Sequence, residues 1–331
     1  MLDPRRRQFI TLLGGAAAAW PVAARAQQSE RVRRIAVLMG LADDKDGQRR
    51  VSALRQGLQE LGWAEGRNLQ FDIRLAGGDM RRIETNAMQV AGTAPDVVVA
   101  TNHATIKALR QTNRSVPIVF VLVANVVESG MVESQARPGR NITGFTNFEP
   151  AIAGKWLQLL KEAVPQIERV SAIYGAETSL YGLSMGYVES AGASLGVTPT
   201  TVPVRNAEDI ERILDALGRE PKSGLIVMPG PLASVNRDLI LQRTLLHRLP
   251  AIYPYRIYAE AGGLISYGID LHDLFRRSAS YVDRILRGEN AGDLPIQAPT
   301  KYELVINLKT ANALGLTFPI TLLGRADEVI E

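Results

Sequence analysis

From Arg33 onward the chain repeats one unit: a short apolar run, a polar loop, and a segment whose apolar residues recur every three or four positions. The run RRIAVLM (33–39) has the composition of a strand buried on both faces of a parallel sheet. Val51, Leu54, Leu58 and Leu61 then form one helical face, which Gly62 closes. NLQFDIRLA predicts a second strand, a helix follows over Arg81 to Ala91, and PDVVVATN predicts a third strand. A helix through Ile106, Leu109 and Arg110 leads to VPIVFVLVAN, the fourth strand. Strands alternating with helices join through right-handed crossovers, so this half predicts a doubly wound parallel sheet.

A second round begins near Asn147. KWLQLLKEAVP reads as a helix stopped before Pro165, RVSAIYG as a strand, and Ser179 to Leu195 as a helix. TPTTVPV, a helix through Ile210, Ile213, Leu214 and Leu217, SGLIVMPG, a helix over Leu239 to Leu246, and PAIYPY continue the alternation. Single cores stop growing near ~250–300 residues. The 331-residue chain therefore predicts an α/β protein of two doubly wound, Rossmann-like lobes with a ligand cleft between them.

The first 26 residues answer to an export signal: Arg5, Arg6 and Arg7, an apolar stretch from Phe9 to Ala24, and a small-x-small end at Ala24-Arg25-Ala26. Gly14, Gly15 and Pro21 break the stretch short of the roughly 20 apolar residues that a membrane span requires. Arg6-Arg7-Gln8-Phe9-Ile10 fits the twin-arginine pattern. Without this segment the net charge falls from +4 to near neutrality, which leaves no electrostatic footprint for nucleic acid. The chain has no cysteine, so thiolate chemistry, disulfides and a lipid-bearing cysteine beside Ala26 are excluded. The expected mature protein is a periplasmic monomer without a lipid anchor.

His103, His247 and His272 are scattered and form no metal-binding pair, so no metal is expected. No G-x-G-x-x-G follows the first strand and no P-loop occurs, so no nucleotide cofactor is expected either. GLSMG (182–186) matches the nucleophile-elbow pattern, but the elbow requires serine on a sharp turn directly after a strand. Ser184 falls within a predicted helix, so an esterase remains a remote alternative to a non-enzyme.

In an open parallel sheet the loops at the carboxyl ends of the strands hold ligands. Those loops supply the candidate binding residues Leu41 and Ala42; Thr101, Asn102, His103 and Thr105; Ala124 and Asn125; Thr178 and Ser179; Pro229 and Gly230; and Asp270. Short polar residues at helix starts expose N–H groups that bind anions, although simple N-capping accounts for them equally well. Tyrosine concentrates in the second half at Tyr174, Tyr181, Tyr253, Tyr255, Tyr258 and Tyr267, and two or three of these six are expected to face the cleft.

GLQELGWAEGRNLQFDIRLAGG, ESGMVESQARPGRNITGFTN, LPAIYPYRIYAEAGGLISYG and the C-terminal DLPIQAPTKYELVINLKTANALGLTFPITLLGRADEVIE resemble the ABC-transporter substrate-binding proteins of the tryptophan/tyrosine-binding type. The resemblance covers the whole chain after the signal. It implies a type I periplasmic-binding-protein fold and delivery of a small-molecule ligand to a membrane permease driven by a separate ATPase. A sensor reporting ligand to a membrane partner would share the same residues. The resemblance also implies three crossings, near 144–149, 267–271 and 295–300. These divide the chain into a first lobe of 30–145 plus about 270–297 and a second of 146–269 plus about 298–331, and return the helix over Arg276 to Leu286 to the first lobe. Where that family commonly carries Asp-Pro-Val before Gly-Leu-Val, this chain has Asn125-Val126-Val127 before Gly130-Met131-Val132. Asparagine lacks the negative charge an ammonium group favours, so a ligand with a carboxylate or neutral polar head and an apolar body is expected. The alternative is that Asn125 satisfies backbone groups at a strand end and a ligand amine is held elsewhere.

Overall fold

The computed structural model describes residues 31–40, 45–112, 115–147, 149–176 and 182–331. A first sheet holds β1 (Arg33–Met39), β2 (Leu69–Leu75), β3 (Val97–Thr101), β4 (Ile118–Val121) and β5 (Ile142–Phe145) in the order β2-β1-β3-β4-β5, all parallel. Successive side chains along a strand point to opposite faces, and β1 buries both sets. Ile35, Val37 and Met39 join one core with Val51, Leu54 and Leu58 of α1 (Lys45–Glu60). Ala36 and Leu38 join the other with α2 (Met80–Gly92) and α3 (Asn102–Thr112) through Ile83, Ala87, Ile106 and Leu109. The unbroken apolar run in the sequence reflects this two-sided burial.

The second sheet contains β6 (Arg169–Gly175), β7 (Thr198–Val204), β8 (Ser223–Val227), β9 (Ala251–Tyr253) and β10 (Ile265–Gly268), with β11 (Glu303–Asn307) and β12 (Glu328–Ile330) beyond them, in the order β12-β11-β10-β9-β8-β6-β7. β11 runs antiparallel to β10, and β12 runs parallel to β11. Helix α4 (Ile152–Ala163) leads from β5 into this sheet, and α5 (Gly182–Leu195), α6 (Ala207–Leu217), α7 (Pro231–Val235), α8 (Arg237–Leu246) and α9 (Arg256–Glu260) connect its parallel strands. Pro199 and Pro203 fall on β7, at the sheet edge, where a strand tolerates a residue without an N–H. The alternation predicts the strands from β1 to β9 apart from β5. β5, β10, β11 and β12 are additional, each three to five residues long.

After β10 the chain returns to the first lobe as α10 (Leu271–Leu286), which lies along α1. Gly57 makes the approach possible: a β-carbon there would stand 2.3 Å from the Arg276 carbonyl oxygen and 2.8 Å from the Ala279 β-carbon. Trp63 Nε1 donates to Asp283 Oδ1 at 2.8 Å and fastens the same seam. A 3-10 turn (Ala291–Asp293) then leads under β5, where Thr143 Oγ1 donates to the Leu294 carbonyl at 2.7 Å. Gln297 N donates to Gly144 O at 2.9 Å, Thr146 N donates to Gln297 O at 3.0 Å, and the chain goes on to β11. The C-terminal segments α11 (Leu308–Leu314) and α12 (Ile320–Leu323) flank the second sheet, with Ala311 and Leu322 in its core.

Gly57→Ala should force α10 away from α1. Overpacking of this kind costs about 2 kcal/mol, which we expect to lower the thermal unfolding midpoint, followed by circular dichroism, by about 5 °C.

Candidate functional site

The carboxyl ends of the strands from both sheets meet around a cavity of about 60 Å³. On the first-lobe side, β3 passes into α3 with no intervening loop, because Asn102 takes the left-handed conformation at φ 57°. Leu122 (φ 64°) and Asn125 (φ 50°), which follow β4, do the same. Three non-glycine residues in this sparsely populated region turn the backbone sharply at the cavity edge, and such strain concentrates at ligand sites. Asparagine tolerates the conformation better than most residues, and the Asn125 carbonyl accepts from Ser129 N at 3.0 Å. Asn125 therefore has a backbone role whatever else it does.

The second lobe contributes Pro229, Gly230, Pro231 and Ser234 from the segment after β8, and Tyr255 from the segment after β9. Asn147 enters from the crossing after β5, Leu271 from the start of α10, and Arg50 from α1. Eight of the sequence candidates share this wall: Thr101, Asn102, His103, Ala124, Asn125, Pro229, Gly230 and Tyr255.

Five candidates lie elsewhere. Thr105 is buried, and its hydroxyl donates to the carbonyl of Thr101 within the first turn of α3. Tyr253 is in the core of the second lobe, stacked on Tyr258 at 5.1 Å between centroids and hydrogen-bonded to Thr244 Oγ1 at 3.0 Å. Tyr267 stacks on Tyr302 at 5.7 Å, and Tyr174 packs against the second-lobe core. Asp270 is the N-cap of α10, accepting from His272 N at 2.8 Å and Asp273 N at 3.1 Å. Leu41, Ala42, Thr178, Ser179 and Tyr181 lie outside the described residues. Among the described tyrosines, only Tyr255 reaches the cavity.

Arg50, Leu122, Asn147, Pro231, Ser234 and Leu271 were not read as binding residues from the sequence. Arg50 carries a visible signal, since it stands four residues before Leu54 and eight before Leu58 on the stripe that faces the core. It is 6% exposed.

Three buried polar atoms on the wall have no hydrogen-bond partner among the described residues: Asn102 Nδ2, His103 Nε2 and Asn147 Oδ1. Asn147 is fixed from its other side, where Nδ2 donates to the Tyr255 hydroxyl at 3.0 Å. Buried polar groups are nearly always paired, so an orphaned set around one cavity offers donors and acceptors to a ligand. Burial holds the His103 pKa below its ordinary value and keeps the ring neutral. Among the described wall residues Arg50 carries a charge, and no carboxylate does. Leu122, Ala124, Pro229, Pro231 and Leu271 supply the apolar surface.

The described residues hold no group of three or more histidines and carboxylates placed to bind a metal. Ser184 lies inside α5, fully buried and nine residues beyond the end of β6, so it is not the exposed serine of a nucleophile elbow. His247 bonds to Asp215 at 2.8 Å between α6 and α8, away from it.

Burial pushes the Tyr255 hydroxyl from 10.0 up to about 12, against the opposing pull of the Asn147 hydrogen bond and the Arg50 charge. A pKa raised on folding stabilises the fold fully below the unfolded value, and that contribution is lost as pH rises through the folded value. Thermal stability should therefore decline between pH 10 and about 12. Tyr255→Phe leaves Asn147 Nδ2 buried without an acceptor. We expect it to destabilise by about 1–2 kcal/mol at neutral pH and to lessen the alkaline decline, to which the buried Tyr253 and Tyr258, also raised by burial, still contribute.

Residues 34–330 match the family described as ABC transporter substrate binding protein. A tyrosine-binding protein of Clostridioides difficile (strain R20291) is 21% identical over 267 residues, covering 79% of this chain and 75% of that one. The crystal structure of a conserved domain protein from Vibrio cholerae superposes with a TM-score of 0.83 at 25% identity, covering 90% of this chain and 100% of that one. An ABC domain in complex with L-Trp from Streptococcus pneumoniae gives 0.83 at 21% identity, with 90% and 99% covered. These structures share the two-lobed α/β architecture that the strand and helix alternation predicts and the type I periplasmic-binding-protein fold that the family resemblance implies. The chain belongs to the ABC transporter substrate-binding protein family.

Proposed function

We propose that this chain is a periplasmic solute receptor that encloses a small organic ligand between its lobes and delivers it to the permease of an ABC transporter. The observation that carries the reading is the ring of unpaired buried polar atoms, Asn102 Nδ2, His103 Nε2 and Asn147 Oδ1, around a cavity that both lobes line. No described residue group favours chemical turnover, and reversible binding requires only such a ring.

The ligand is a small carboxylate or amino-acid-like compound with an apolar or aromatic body. The named ligands of two relatives, tyrosine and L-Trp, support the body. The acid group is in keeping with Arg50, whose cationic side chain lines the cavity. On this reading residues 1–26 are a twin-arginine export signal. Residues 30–145 with about 270–297 form the first lobe, and 146–269 with about 298–331 the second. The mature protein is a monomer without a lipid anchor.

Calorimetric titration with L-tryptophan, L-tyrosine, indole-3-acetate and phenylpyruvate tests the ligand class. We expect at least one of the acids without an ammonium group to bind as tightly as its amino-acid counterpart. Micromolar binding of either amino acid with both acids inert would overturn the carboxylate preference. A bound ligand at 100 times its dissociation constant should stabilise the fold by about 2.7 kcal/mol in a thermal-shift assay. N-terminal sequencing of the exported protein should begin near Gln27.

A further inference from the structure

One ion pair crosses the cleft at the rim of the cavity. Asp46, in the first turn of α1 in the first lobe, accepts from the Arg237 guanidinium at the start of α8 in the second. The side chains are 14% and 22% exposed, so the pair is largely shielded from solvent. Its place in the sequence ties it to the ligand site. Arg50 stands one helical turn beyond Asp46, Ser234 stands three residues before Arg237, and both line the cavity. A second contact closes the rim beside it, where Val235 of α7 lies 3.5 Å from the position a β-carbon on Gly78 would take.

Access to a cavity walled by both lobes widens when the lobes separate, and separation breaks every contact that spans the rim. Asp46 and Arg237 belong to different lobes, and each has a further charged neighbour on its own side. Arg49 stands 3.8 Å from Asp46, and Asp238 stands 3.2 Å from Arg237. Those neighbours stay with their residues in either state, whereas the Asp46–Arg237 contact exists only when the rim is shut.

We propose that Asp46 and Arg237 form a charge latch that sets the balance between open and closed lobes and so tunes affinity without touching the ligand. They are positioning residues, and the latch makes capture sensitive to ionic strength. With a Debye length of about 8 Å at 0.15 M, added salt stabilises the exposed, separated charges of the open state more than the neutral, shielded pair, and so shifts the balance toward open lobes. The inference rests on the two-lobed receptor reading but requires no knowledge of the ligand.

The absence of cysteine from the chain permits a direct test on the ligand-free protein. Thr85→Cys on α2 and Ala216→Cys on α6 place one spin label on an exposed position of each lobe, and pulsed electron resonance reads the distance between them. At about 20 mM salt we expect Arg237→Ala to lower the ratio of closed to open lobes by about fivefold, and about 0.5 M salt to shrink that difference. The charge-swapped pair Asp46→Arg with Arg237→Asp should restore the closed population, which a purely structural role for either side chain would not do. Circular dichroism confirms that each variant is folded. Identical distance distributions for the parent and Arg237→Ala, or failure of the folded swap to recover closure, would overturn the latch. Because no ligand enters the measurement, its outcome is independent of the titrations that test the receptor reading.

Discussion

Two backbone hydrogen bonds, from Gln297 N to Gly144 O and from Thr146 N to Gln297 O, hold the outgoing and returning chain side by side between the lobes. They use no side chain, which leaves the Gln297 amide free to bond Tyr281, whereas Gly144 is held to glycine because a β-carbon there would stand 2.0 Å from the Phe120 carbonyl oxygen. Asn147 follows directly and carries its amide onto the cavity wall, where Tyr255 holds it from the second lobe. The seam of α1 with α10 supports the same junction from below: Tyr281 of α10 donates to the Pro295 carbonyl and accepts from Gln297 Nε2 at 2.8 Å. The cavity is thus built around the place where the chain changes lobes, and relative motion of the lobes must alter its walls.

The parallel strands were legible because a strand buried on both faces leaves no room for polar alternation. Val97, Val98 and Val99 of β3 are all fully or nearly fully buried, on two different cores. β5 and β10 were hidden by their four-residue length and by Gly144 and Gly268, glycines that elsewhere read as turn signals. At Gly268 a β-carbon would stand 1.6 Å from the Pro254 carbonyl, so the residue marks a close backbone approach within the sheet. β11 and β12 were missed because the alternation of strand and helix ends before them, and β11 reverses direction against β10.

The site was legible to the extent that it follows from topology. Loops at the carboxyl ends of β3, β4, β8 and β9 supply wall residues, as an open sheet requires. Residue type alone could not sort the tyrosines. Tyr253 and Tyr255 are two residues apart, yet the first ends a strand inside the core while the second follows it, in the segment that turns into α9. Asp270 looked like a ligand group because it follows a strand, but two backbone N–H groups of α10 occupy its carboxylate. Arg50 hid in plain view, since a charged residue on an apolar helical stripe is read as an exception until the opposing surface is known.

The two prolines of β7 have a bearing on the company this protein can keep. Thr198 N donates toward the interior of the sheet, to Glu168 O at 2.9 Å, so the N–H groups of residues 199, 201 and 203 point to the open side. Two of those three positions are proline, which leaves Thr201 as the single outward amide donor on this strand. An incoming strand from another molecule would find carbonyls to donate to but almost nothing to accept from, and could not build a ladder. This flank of the larger sheet is thereby closed to strand pairing with a second copy, with no residue diverted from the cleft to do it.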